Sequence, residues 1–215
     1  SYVKEILPYQ WKIAVSWISG YFIFQLFNPV IFATEGAVIA GQMGMTIAAI
    51  SAIQSLSLSW INTKVLLFSN LIALKKYIEL DKIFNVTLKQ SLFINGSALT
   101  ILFLIITLIR KYNIIIDGTF VGDRFLDNLP MILMMIPIFL NQYVFSWATY
   151  LRCHKKEPLL VMSIVNAILC TLSIILMQKY YGIIGITFGY CTITFFTLIW
   201  TYSIFKNKKK KWHSN

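Results

Sequence analysis

Charge is scarce in this sequence. Only 13% of its residues are charged, the acids number 8, and 58% of the chain is hydrophobic. An average soluble domain is about 25% charged and about 45–50% apolar. A water-soluble fold of 215 residues cannot hide that much apolar surface. The shortage of charge therefore excludes a soluble enzyme and a soluble binding module. Disorder is excluded as well, because its signature is low hydrophobicity. The 3 cysteines follow no CxxC spacing, which leaves no disulfide framework or redox pair. His154 and His213 sit beside lysines with no second ligand type nearby, so no metal site is expected. HExxH, nucleophile-elbow and Walker A motifs are missing, as are paired carboxylates within any apolar run. Neither enzymatic activity nor a cofactor is expected. No cleavable signal peptide is legible, because the first apolar run is too long for one. The chain begins with Ser1 rather than Met, as a fragment would.

What is present is length of apolar run. About 20 apolar residues span a bilayer core, and six segments meet or approach that length: 11–33, 37–62, 92–109, 129–151, 159–177 and 182–205. Past Lys12, at the edge of the first, none contains a charged residue. A charge at the centre of a span costs about 2.5–3.5 kcal/mol on insertion scales. Barrel strands alternate with period two over about 10 residues, which these runs do not. The expected fold class is all-α: a polytopic membrane bundle of six transmembrane helices.

The net charge of +11 would suggest nucleic acid in a soluble protein. Its placement gives another explanation. With the N-terminus inside, Arg110, Lys111, Arg124 and Lys179 fall outside, and the other fifteen of 19 basic residues fall inside. That asymmetry predicts cytoplasmic termini, and a nucleic-acid partner loses its support. The outer loop at 110–128 is close to neutral, since Asp117, Asp123 and Asp127 balance its bases. The tail at 206–215 carries five lysines. It reads as an orientation signal or as a patch for anionic lipid. Residues 65–88 show helical apolar spacing among charges, with Lys75 and Glu79 an i,i+4 pair, and predict an interfacial amphipathic helix.

Polar residues inside the spans are the candidates for function. The first span holds Gln25 and Asn28 before Pro29, which frees the Gln25 carbonyl. Freed backbone at membrane depth needs a polar neighbour or a water-filled cavity. The fourth span repeats the pattern, with Pro137 ahead of Asn141 and Gln142. In the second span Ala40, Gly44, Ala48 and Ala52 form a small-residue packing stripe, and Ser51, Ser55 and Ser59 with Gln54 form a more polar one. Glu35 is either a coupling carboxylate facing a cavity or an interface residue in a tight turn with Gly36. Gly185 and Gly189 in the sixth span form a GxxxG contact motif.

The stretches 17–22, 41–44, 59–64 and 71–73 together resemble bacterial polysaccharide exporters. These are the O-antigen and capsule flippase-like proteins of the multidrug/oligosaccharidyl-lipid/polysaccharide exporter superfamily. The resemblance is best over residues 8–84, and it implies two pseudo-symmetric bundles of which this chain looks like the C-terminal one. It implies an inner-membrane transporter that moves a lipid-linked oligosaccharide between leaflets by alternating access. Partners would be the bilayer, the lipid-linked glycan, and an N-terminal six-helix bundle or second subunit. The implied cavity would be lined by Gln25, Asn28, Gln54 and Glu35. One departure is the lack of basic residues in the spans, which several such flippases use to hold diphosphate. A cation-coupled drug antiporter of the same superfamily and a non-transporting anchoring or assembly subunit remain as alternatives.

Overall fold

The computed structural model describes residues 2–116 and 119–213; Asp117 of the outer loop lies outside them. The described chain is helical apart from turns and a two-residue antiparallel pair, β1 (Ile115–Ile116) and β2 (Thr119–Phe120). The helices are α1 (Tyr2–Glu35), α2 (Ala37–Asn62), α3 (Val65–Ala73), α4 (Tyr77–Lys111), α5 (Asn128–Arg152) and α6 (Leu160–His213). Among the described residues, five helical stretches are long and apolar enough to cross a membrane: Gln10–Glu35, Ala37–Ala73, Tyr77–Lys111, Asn128–Arg152 and Leu160–His213.

The turns explain the order of the bundle. Gly36 adopts φ 88°, a conformation open to glycine at little cost, and reverses the chain between α1 and α2 in one residue. Asn28 then lies against Gly44, the two equidistant from the turn. Residue Gly182, with φ 58° and ψ −146°, breaks α6 in the same manner. The Thr197 hydroxyl donates to Asn166 Oδ1 at 2.7 Å, and the Thr201 hydroxyl reaches Met162 Sδ at 3.7 Å. The two halves of α6 thus lie antiparallel. A Cβ on Gly185 would meet the Met177 carbonyl at 2.7 Å, and one on Gly189 would meet Ser173 Oγ at 2.1 Å. Both glycines are what lets the halves approach so closely.

The stretch expected as one amphipathic helix at 65–88 is two elements. The first, α3, stops where Lys75 takes φ 57° and the Lys75 and Lys76 N–H groups close onto Ile72 and Leu71. The second part belongs to α4, which runs unbroken from Tyr77 through the expected third span. No glycine or proline stands between Tyr77 and Asn95, so nothing in the sequence separates the charged turns from the apolar ones.

Two cores fill the bundle. Ile23, Phe27, Ile31, Met43, Ile50, Leu99, Met134 and Ile186 form the one toward Gly36. Ile61, Phe68, Leu80, Phe84, Trp147, Tyr150 and Phe205 form the one toward Lys64. The first is almost wholly aliphatic, and the second is richer in aromatic rings. Lipid is as apolar as leucine, so such contacts hold helices by close packing and not by exclusion from water.

Candidate functional site

Between the two cores lies a polar cluster shared by α2, α4 and α5. The Gln54 amide donates to Gln142 Oε1 at 2.5 Å. The Gln142 amide donates to the Ser91 hydroxyl, which donates to the Ser57 carbonyl at 2.7 Å. Ser146 donates back to the Gln142 carbonyl at 2.6 Å. Every side chain in this relay is buried. Asn95, one turn beyond Ser91, is 0% exposed, and neither atom of its amide has a partner. Gln54 Oε1 is likewise buried and unpartnered. An unsatisfied buried polar atom costs about 1–3 kcal/mol. The cluster leaves the Asn95 amide and Gln54 Oε1 without partners inside the bundle. It contains no ionisable side chain, so it cannot itself accept or release a proton near neutral pH.

The expected path residues separate into four places. Gln54 and Gln142 meet in the cluster. Asn141 does not join its neighbour, because successive helical residues point about 100° apart; its amide donates to the Tyr190 hydroxyl at 3.0 Å. The Tyr190 ring packs edge-on against Phe24 and Phe27 of α1. Glu35 sits at the bundle end, where the Gln178 amide donates to it at 2.8 Å and Gly182 lies beside it. That geometry ties the Gly36 turn to the Gly182 turn. Gln25, Asn28 and Pro29 are exposed on α1 and touch none of the cluster. Of the expected packing stripe, Gly44 lies under Asn28, while Ala48 and Ala52 are exposed. Pro137 is buried within α5.

Ser91 and Asn95 escaped the sequence reading, although Thr87, Ser91 and Asn95 form a polar i,i+4 stripe. Arg110 escaped it too. Its guanidinium donates to the Phe125 carbonyl at 3.1 Å, to the Leu126 carbonyl at 2.7 Å, to the Gly122 carbonyl at 3.3 Å and to Asn128. Around it is a cavity of about 560 Å³ lined also by Asn113, Asp123 and Asp127. Gln42 reaches the Asp123 carbonyl at 2.8 Å, and the Leu126 N–H donates to Thr46 at 3.1 Å.

The opposite end holds most of the basic residues. Asp81 accepts from the Tyr150 hydroxyl at 2.7 Å and pairs with Lys209 at 2.9 Å. His213 stacks on Tyr77 at 4.2 Å between ring centres. The tail is thus a docked continuation of α6. Among the described residues no group of three His, Cys, Asp or Glu side chains is placed to hold a metal. Compared with known protein families, curated proteins and solved structures, the chain matches none.

Proposed function

We propose that this chain is one helix bundle of a membrane transporter that moves a lipid-linked oligosaccharide between leaflets of a bacterial inner membrane by alternating access. The observation that carries the reading is the face shared by α1 and α2. Gln25, Asn28 and Pro29 are exposed there, and so are Gly41, Ala48, Ala52 and Ser55. Polar side chains at membrane depth face protein or a water-filled cavity in preference to lipid. Small residues mark the close approach of another helix. A second bundle or subunit opposite this face would enclose a polar cavity between the two.

Six crossings follow if each half of α6 spans the bilayer, which the break at Gly182 and the antiparallel contacts support. The Lys64 end then lies in the cytoplasm, because it collects the basic residues. A non-transporting assembly subunit is the second reading. The lack of any ionisable group in the buried cluster favours it, since coupling to a proton or sodium gradient commonly uses a carboxylate at depth.

The test is lipid-linked oligosaccharide flipping in proteoliposomes holding the protein with its partner bundle. Replacing both Gln25 and Asn28 by Leu is expected to slow flipping while leaving expression intact. Unchanged glycan export after deletion of the gene would overturn the transporter reading. Retention of a stable stoichiometric complex without flipping would favour the assembly subunit.

A further inference from the structure

We propose that a cleft at the Lys64 end binds a phosphate-bearing headgroup, that of an anionic phospholipid. The cleft has a volume of about 750 Å³ and lies between α3, the turn after α5 and the end of α6. It rests on this end meeting a membrane surface, and does not depend on transport.

Three features of the cleft point to that ligand. The first is charge. Lys155 and Lys156 line it beside the ion-paired Arg152, and no acid does. Acids at this end are engaged: Glu157 is paired with Arg152, Asp81 with Lys209 and Glu79 with Lys76. Lys155 and Lys156 are exposed, and Lys155 takes φ 56°, which turns the chain sharply between the two flanking helices. Two ammonium groups are thereby held on one short turn, where they can meet one phosphate.

The second feature is the wall. Trp17, Tyr77 and Trp212 border the cleft. Trp and Tyr favour the headgroup level of a bilayer, where one edge of the ring is wet and the other apolar. Trp212 is fixed there by the docked tail: Lys156 sits over its ring at 5.1 Å, and the His154 ring lies 4.9 Å away. The third feature is the floor. Val65, Ile72 and Ala73 of α3 supply an apolar strip. A headgroup and the start of an acyl chain match a site that is cationic at one side and apolar at the other. A free phosphate ion would use only the cationic side.

The tail therefore has a role beyond orientation. It completes the site by carrying Trp212, which is held through the Lys209–Asp81 ion pair and the His213–Tyr77 stack.

The experiment uses the whole protein in neutral detergent, titrated with short-chain phosphatidylglycerol, short-chain phosphatidylcholine or inorganic phosphate, and read by native mass spectrometry and thermal shift. Phosphatidylglycerol is expected to bind one to one and raise the melting temperature more than phosphatidylcholine. Lys155→Gln and Lys156→Gln are each expected to weaken it about fivefold, the effect of one lysine near a membrane surface. Lys75→Gln removes the same charge at the same end outside the cleft and is expected to change affinity less than about twofold. Equal losses in all three variants would overturn the site in favour of a diffuse basic surface. Equal binding of phosphatidylcholine would overturn the requirement for an anion. Inorganic phosphate competing at the lipid's own concentration would assign the cleft to a free ion and overturn the lipid. All three substituted lysines are exposed, so unliganded melting reports whether the fold is kept.

Discussion

The two ends of the bundle are closed by different chemistry. At the Gly36 end one guanidinium gathers the carbonyls of a loop, and Gln42 and Thr46 hold the same loop from α2. At the Lys64 end closure is shared among rings and charges: Tyr150, Asp81, Lys209, Tyr77 and His213 each touch at least one of the others. A cap that rests mainly on one residue loses most of its hold when that residue is lost. A shared cap loosens by degrees, because deletion of one member leaves the remaining contacts in place.

Arg110 should give the largest effect. Arg110→Ala leaves the Phe125 and Leu126 carbonyls without their charged donor and is expected to cost about 2–4 kcal/mol. Melting temperature should fall, and limited proteolysis should cut the loop at 113–127. Arg110→Lys keeps the charge but not the fork, so it should recover only part of the loss. Unchanged melting and protease resistance in the alanine variant would show that Gln42 and Thr46 hold the loop alone.

The middle of the bundle supplies the next comparison. Gln142→Leu is expected to cost about 1–2 kcal/mol, because Gln54 and Ser91 each lose a partner while buried. Interhelical hydrogen bonds in membranes average less than this pairwise, about 0.6 kcal/mol. A cost below that value would mean that a polar guest already satisfies the cluster. In the shared cap, Tyr150→Phe deletes only the hydroxyl and keeps the ring against Phe84 and Phe205. The expected cost is about 1 kcal/mol, well under that of Arg110→Ala. If Tyr150→Phe proved the more damaging of the two, the contrast between the ends would be reversed.

Much of this architecture was readable from residue order. Apolar runs located the helices, and Gly36 marked the first sharp reversal, since few other residues accept that backbone angle; the second, at Gly182, showed only as the start of the sixth run. GxxxG at Gly185 foretold a close contact that the structure places against the preceding half of α6. The site was less legible. Gln54 and Gln142 stand far apart in sequence, and nothing in either span says that they meet. Asn141 and Gln142 look like one polar pair, yet the helix turns them to different neighbours. Arg110 looked like a loop charge because its partners are backbone carbonyls, which leave no mark on composition. The docking of the tail and the break at Lys75 left less trace: periodicity shows which face is apolar, but an ion pair such as Lys209–Asp81 decides where a charged turn docks.

The smallest expected effect separates the two ends by pH. Burial pushes the His154 imidazole below its ordinary value of 6.5, and the lysine at 156 and His213 push the same way. The Tyr150 carbonyl and Asp81 oppose them without overcoming burial. Unfolded, the ring takes up a proton as pH falls through about 6.5; folded, it does so only at lower pH. Between those two values the unfolded chain holds more protons, so stability declines as pH drops. The His154 contribution is complete above pH of about 6.5 and is lost on acidification toward the folded value. Melting temperature should therefore fall between about pH 7.5 and about pH 5.5, and His154→Gln should flatten part of that slope. The rest belongs to His213, whose imidazole burial also pushes down. The loop at 113–127 is held at the other end of the bundle, so its protease resistance should not change over this range. A variant with the wild-type slope would remove His154 as its source. A loop that opens in step with the melting shift would mean that the two ends are not independent.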